Sequence, residues 1–213
     1  MCGRFLLDSD IGDIVYRYNY LGIECDLSAE VNNEVNKNEI FPTNSVPVIY
    51  KEDKTNIDVF RWGFPIWNKK VLINSRAETI NEKGIFKESF QNRRCIIPVN
   101  AFFEWKKINN IKQKHKIYLK DIEIFSIAGI YNRFINENNE EFSAFSIVTT
   151  ESNEKMRNIH NRMPVILRKN KEKNWLDTKV SISELNTIMR PYDEEDMIFL
   201  NLDRQIYEQI KIF

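Results

Sequence analysis

The chain has 213 residues, 42% of them hydrophobic, which is enough for one well-buried core and too little to require two. Its 31 basic and 31 acidic side chains cancel, so no global field draws it onto nucleic acid or an anionic membrane, and any DNA contact must come from a local patch. The N-terminus lacks the pattern of a secretory signal, no apolar run reaches the roughly 18 residues that span a bilayer, and Cys2, Cys25 and Cys95 form no CxxC pair. A cytoplasmic protein in a reducing compartment is expected.

Ile11, Ile14, Val15 and Tyr18 recur at helical spacing behind Asp8 or Ser9 and predict a helix over 9–20. Strands are expected at 46–50, 57–62 and 72–76, after which Thr79 and Glu82 have the spacing of a capping box and predict a helix start. Further strands are expected at 95–99, 102–105, 116–119, 124–131 and 142–149, the last two joined by a polar hairpin loop over 136–141. A short helical segment at 153–159 precedes a strand at 163–167. Ser181 with Glu184 predicts another helix, and a strand at 197–202 closes the pattern. No repeat, low-complexity tract or linker interrupts the chain. The pattern predicts an α+β class, a single domain over 1–213 of mostly antiparallel sheets curled towards a barrel with peripheral helices.

Cys2 follows the initiator methionine, and so small a side chain normally permits removal of Met1. The chain would then begin with an exposed cysteine whose amine and thiol lie on adjacent carbons, with ordinary pKa values of about 7.7–8.0 and 8.5, both partly deprotonated near neutral pH. That pair can attack one aldehyde in turn, giving a Schiff base and then a five-membered thiazolidine. The plainer alternative is an incidental residue at a frayed end. In 72–78, strand alternation puts Asn74, Arg76 and Glu78 on one face, able to orient a substrate and hold a phosphate, or simply forming a solvated edge in which Glu78 pairs with Arg76 or supports the next helix. Glu104 sits among the aromatics Phe102, Phe103 and Trp105, as a proton-transfer carboxylate or as a surface glutamate. Of the two histidines, His115 lies in a lysine-rich run and is expected to be exposed. His160, leading into Asn161, Arg162, Met163 and Pro164, is a proton shuttle or a capping histidine. Zinc on Cys2, Cys95 and His160 lacks any paired ligand spacing, and phosphate loops and GxSxG motifs are missing, so neither a metal nor another cofactor is expected.

The order of these motifs resembles one family. Met1-Cys2-Gly3-Arg4-Phe5, Phe41-Pro42-Thr43, Trp62-Gly63-Phe64, Asn74-Ser75-Arg76-Ala77-Glu78-Thr79, Arg94-Cys95-Ile96-Ile97-Pro98, Phe103-Glu104-Trp105, and Thr149-Thr150 leading to Ile159-His160-Asn161-Arg162-Met163-Pro164 are similar to blocks of the SOS response-associated peptidase (SRAP) family, clearest over 1–167. The resemblance implies a single SRAP domain that crosslinks covalently to the ring-opened aldehyde of an abasic site in single-stranded DNA and shields the lesion. Its peptidase activity would be chiefly self-removal of Met1. By motif position it implies Cys2 as nucleophile, Asn74 positioning the sugar and the linked cysteine, and Glu104 handling the sugar hydroxyl and protons. His160 would assist Schiff-base chemistry and crosslink reversal. It also implies DNA contacts from Arg4, Arg76 and Arg162 to phosphates, from Pro42 and Trp67 to bases, and from Thr149. Ser75, Ala101 and Asn161 stand where the family more often has alanine, glycine and aspartate, and none is a proposed reactive group. The implied protein is a monomer without an obligate protein partner, associating with the nucleoid on damaged DNA. Two other functions use the same residues: an N-terminal-cysteine hydrolase of peptides or amides, and a noncovalent single-strand binding module in which Cys2 is idle.

Overall fold

The computed structural model describes residues 2–23 and 38–203, so the expectations for Met1, Cys25 and the chain beyond residue 203 lie outside it. Two long strands with nearly continuous buried stretches form its spine. They are β11 (Phe125–Ile135) and β12 (Glu141–Glu151), joined by a turn in which Asn136 Oδ1 accepts from the amides of Asn138 and Glu140. Strands buried on both faces read as apolar runs rather than alternations, as here. Around them, β3 (Ser45–Lys51), β4 (Thr55–Trp62) and β8 (Arg94–Val99) close a five-stranded barrel in the order β12, β4, β3, β8, β11 and back to β12. The β12–β4 contact is parallel, and β7 (Asn74–Arg76) also lies parallel to β12; the other pairings are antiparallel. At the close approach of β8 and β11, a Cβ on Gly129 would fall 2.4 Å from Ile97 Cδ1 and 3.0 Å from Cys95 Sγ, so any side chain there requires those core side chains to shift.

A second, fully antiparallel sheet runs β15 (Met197–Asn201), β10 (Ile111–Leu119), β9 (Ala101–Ile108), β1 (Phe5–Leu7) and β2 (Asn38–Ile40). It packs on the barrel through Phe5, whose ring lies 5.0 Å from Trp62, which in turn stacks on Phe145. Helices α1 (Ile11–Tyr18), α2 (Gly84–Asn92), α3 (Glu154–Arg157), α4 (Glu172–Leu176) and α5 (Ile182–Ile188) lie at the periphery. Among the described residues no helix is long and apolar enough to cross a membrane.

The expected α+β barrel with outer helices is the fold. Four local expectations change. The first helix is capped by Asp10 in a reciprocal box with Asp13, rather than by Asp8 or Ser9. Thr79 and Glu82 open no helix, because the Thr79 carbonyl closes a turn onto the amides of Glu82 and Lys83, and α2 starts only at Gly84. The expected strand 72–76 divides into β6 (Val71–Leu72) and β7, the Ile73 carbonyl between them accepting from the Trp62 indole at 3.0 Å. Strand 163–167 divides into β13 (Arg162–Pro164) and β14 (Ile166–Leu167) as the chain passes from β12 to β11, with Val165 bridging both. Helices α3 and α5 start as expected, behind the side-chain caps Asn153 and Ser181.

Two buried charges organise the outside of the barrel. Arg94 donates to the carbonyls of Trp175, Phe90, Gln91 and Asp177 at 2.6 to 2.9 Å, gathering the C-terminal ends of α2 and α4. Those ends carry the negative pole of each helix, which suits a cation; burial pulls the guanidinium down to about 10, the charge of Asp177 opposing it. Glu172, fully buried, accepts from Arg17 at 2.9 Å and from Ser126 Oγ at 2.6 Å, and Ser126 is bonded in turn to the Tyr18 hydroxyl at 2.8 Å. Burial pushes the Glu172 carboxyl up from 4.5 to about 7, outweighing Arg17. The folded state therefore binds this proton more tightly than the unfolded chain. The resulting stabilisation is complete below about pH 4.5 and disappears as pH rises through about 7. Glu172→Gln is expected to remove that component, flattening the dependence of melting temperature on pH between 5 and 8; an unchanged slope would show that Glu172 does not carry it.

Candidate functional site

The N-terminal residues reach the site because β1 is held between β2 and β9, with Phe5 opposite Ile40 and Phe102, while the Phe103 amide donates to the Arg4 carbonyl at 2.9 Å. Just before this strand, the Cys2 carbonyl accepts from Asn74 Nδ2 at 2.9 Å, tying the start of the chain to β7 across 72 residues of sequence. Asn74 Oδ1 is buried with no hydrogen-bond donor among the described residues, an open acceptor beside Cys2. Glu104, 4% exposed, shares the inner face of β9 with Phe102 rather than lying on the surface.

The expectation of an exposed and partly ionised Cys2 is corrected. The residue is fully buried, and burial pushes its thiol up to about 12, reinforced by the negative charge of Glu104 and opposed by a contact to the Arg4 carbonyl. At neutral pH the sulfur is a protonated thiol near Glu104.

A second cluster lies along β7, β12 and β13. Parallel pairing sets Asn74 opposite Ile147 and Arg76 opposite Thr149. Arg162 grips Glu78 with both ends of its guanidinium, at 2.6 and 2.9 Å, and also donates to the Thr149 carbonyl at 2.7 Å. Glu78 thus pairs with Arg162, not Arg76, because β7 ends before it and the turn carries it to β13. The Glu78 carboxyl is held below its ordinary value: burial raises it, but the hydrogen bonds and charge of Arg162 prevail, with Arg76 contributing. His160 accepts the Arg162 amide on Nδ1 at 3.0 Å, so that Nε2 is the ring nitrogen outside this bond.

Pro42 and Trp67 sit on separate turns. Pro42 follows Phe41, whose ring lies 3.6 Å below the Arg4 guanidinium. Trp67, 91% exposed, stands at the tip of a hairpin between β5 (Phe64–Pro65) and β6, closed by Ile66 N to Lys70 O at 2.9 Å with Asn68 and Lys69 in left-handed conformations. Gly63 sets that hairpin's angle. Its φ of 116° disfavours any side chain, and a Cβ there would meet Val71 at 2.8 Å. Among the described residues no group of three or more His, Cys, Asp or Glu is placed to hold a metal ion. Cys95 is buried in β8, within the barrel wall.

Residues 1–209 match the profile of the SOS response associated peptidase (SRAP) family. The chain belongs to the SRAP family. It is 36% identical over 207 residues to the abasic site processing protein YoqW of Bacillus subtilis (strain 168), covering 92% of this chain and 90% of that one. Against the abasic site processing protein YedK of Escherichia coli (strain K12) the identity is 28% over 195 residues, 88% of this chain and 85% of the relative. The crystal structure of a protein from Bacteroides thetaiotaomicron superposes with a TM-score of 0.83 at 31% identity, covering 93% of this chain and 90% of that one.

In this SRAP domain three residues near the site escaped the sequence. His115, expected to be exposed, is only 8% exposed: β10 alternates, so Lys114 and Lys116 face outward while His115 lies inward, opposite Glu104 on β9 and Asn201 on β15. Alternation within the lysine run was the available signal. Glu39 and Lys114 meet across the sheet, with Lys114 Nζ 2.7 Å from both Glu39 oxygens. No local pattern announces a contact between residues 75 positions apart.

Proposed function

We propose that this SRAP domain processes abasic sites in single-stranded DNA by covalent capture on Cys2 once Met1 has been removed. The observation that carries the reading is the arrangement at Cys2, where Asn74 fixes the carbonyl and offers an open acceptor while the protonated thiol lies in the field of Glu104. Hydrolysis of the Met1–Cys2 bond, which consumes one water, frees the α-amine; the peptidase activity is this self-processing step. The amine adds to the aldehyde carbon of the ring-opened deoxyribose and water leaves, giving a Schiff base. The Cys2 thiol then adds to the same carbon. Its proton passes through Glu104 to the former amine nitrogen, and the thiazolidine closes with one water lost overall.

His160 Nε2 assists proton transfer to the departing hydroxyl and in the reverse direction. Arg4, Arg76 and Arg162 take flanking phosphates, Pro42 and Trp67 contact the neighbouring bases, and Thr149 supports Arg162. A thiol held at about 12 is poorly suited to an ordinary cysteine hydrolase, which attacks as a thiolate, but an imine is reactive enough to accept a thiol assisted by a base. The protein acts as a monomer.

The test is incubation of processed protein with an abasic single-stranded oligonucleotide. A heat-stable adduct with the wild type and none with Cys2→Ala is expected; a wild type without adduct, or an equal adduct from the variant, defeats the reading. Peptide turnover beyond Met1 would favour the hydrolase, and binding indifferent to Cys2 without an adduct would favour the noncovalent module. Trp67→Ala is expected to weaken binding to intact single-stranded DNA about tenfold, the worth of one stacked base. Its melting temperature should stay at the wild-type value, since the ring contributes nothing to the core; fluorescence anisotropy and thermal melting check the two halves.

A further inference from the structure

We propose that Arg4 and Lys114 form a phosphodiester seat beside Cys2, occupied in the DNA-free protein by the carboxylate of Glu39, which single-stranded DNA displaces. The inference rests on the reading that this chain captures single-stranded DNA, and adds to it a second cation and a resident competitor. Glu39 on β2 receives Arg4 Nη1 at 2.8 Å and Lys114 Nζ at 2.7 Å on each oxygen. Two cations converging on two oxygens of one anion is the geometry that also binds a phosphate.

Three further features fit exchange rather than a fixed structural bridge. The side chains of Arg4, Glu39 and Lys114 are 24%, 29% and 25% exposed, so an anion can reach them from solvent without opening the fold. Aromatic rings hold the cations in place independently of Glu39: Arg4 Cζ lies 3.6 Å over Phe41 and 5.5 Å over Trp105, and Lys114 Nζ lies 4.3 Å over Phe103. Arg4 Nε, meanwhile, is buried with no acceptor among the described residues, a donor that the present occupant leaves unused. Arg4 lies two positions from Cys2, at most about 7 Å of extended chain, so the seat serves a phosphate next to the lesion.

Glu39 thereby makes binding selective, because a ligand must outcompete a carboxylate already in place. Binding is measured by anisotropy with an intact single-stranded oligonucleotide, on which no adduct forms, across a range of salt concentrations. Glu39→Gln is expected to tighten binding by about threefold to tenfold. Lys114→Met should weaken it and lower the slope of log affinity against log salt by about 0.7, one phosphate contact on a single strand, whereas Lys114→Arg keeps the slope. Thermal melting verifies that each variant is folded. Unchanged or weaker binding by Glu39→Gln, a wild-type slope in Lys114→Met, or the same slope change from Lys179→Met, outside this cluster, overturns the proposal. Adduct formation by the wild type on an abasic oligonucleotide reports separately on covalent capture, so the two can fail independently.

Discussion

Arg94→Met is expected to lower the unfolding free energy by about 3–5 kcal/mol, the usual cost of breaking a buried charged network from one side. The guanidinium satisfies the carbonyls of Trp175, Phe90, Gln91 and Asp177, and methionine can fill its volume but bond none of them. Each acceptor left buried costs about 1–3 kcal/mol, partly recovered because the desolvated charge is also removed. Lysine retains the charge with a single nitrogen at the tip. It cannot reach all the carbonyls that the forked guanidinium reaches, so Arg94→Lys should fall between the wild type and methionine. Urea unfolding at pH 7 measures both; a methionine variant within about 1 kcal/mol of the wild type would show that water reaches the two helix ends without loss.

Glu104→Gln is expected to slow adduct formation by about 10²-fold, the lower range for loss of a general acid or base. The same substitution has an opposite effect on the nucleophile. Burial is the first cause holding the Cys2 thiol at about 12 and the Glu104 charge is the second, so the amide variant should ionise more readily and alkylate faster at Cys2 near pH 8. Slower crosslinking together with faster alkylation separates proton transfer from thiol activation. Alkylation is read at the Cys2 peptide by mass spectrometry, crosslinking by gel shift. If both rates fell together, the substitution would have closed the site rather than removed a base.

The barrel was largely legible because β11 and β12 are long runs with few polar interruptions, and buried strands announce themselves in that way. The N-terminal sheet was not. Strand β1 has three residues and β2 three, too few for a period; β1 exists because β9 supplies a partner about a hundred positions away, and β2 because β1 in turn offers its other edge. Thr79 illustrates the opposite error: its capping spacing is sound locally, yet the carbonyl serves a turn that leaves β7. At the site the residue types were readable and their connections were not. The bond from Asn74 to Cys2, the grip of Arg162 on Glu78 and the inward position of His115 opposite Glu104 all depend on pairing between distant strands. The burial of Cys2 likewise follows from the placement of β1 and β7, with nothing in Met1-Cys2-Gly3 to signal it.

The position of β1 between two neighbours has a mechanical consequence. A load applied through Cys2 would run along the strand axis and stress the backbone bonds to β2 and β9 together instead of peeling them one at a time, with the Phe5 ring wedged against Trp62 as a stop. Resistance to such pulling is set by the height of a rupture barrier and not by equilibrium stability. Under the capture proposed at Cys2, a pull on the DNA strand would load β1 in this shear geometry.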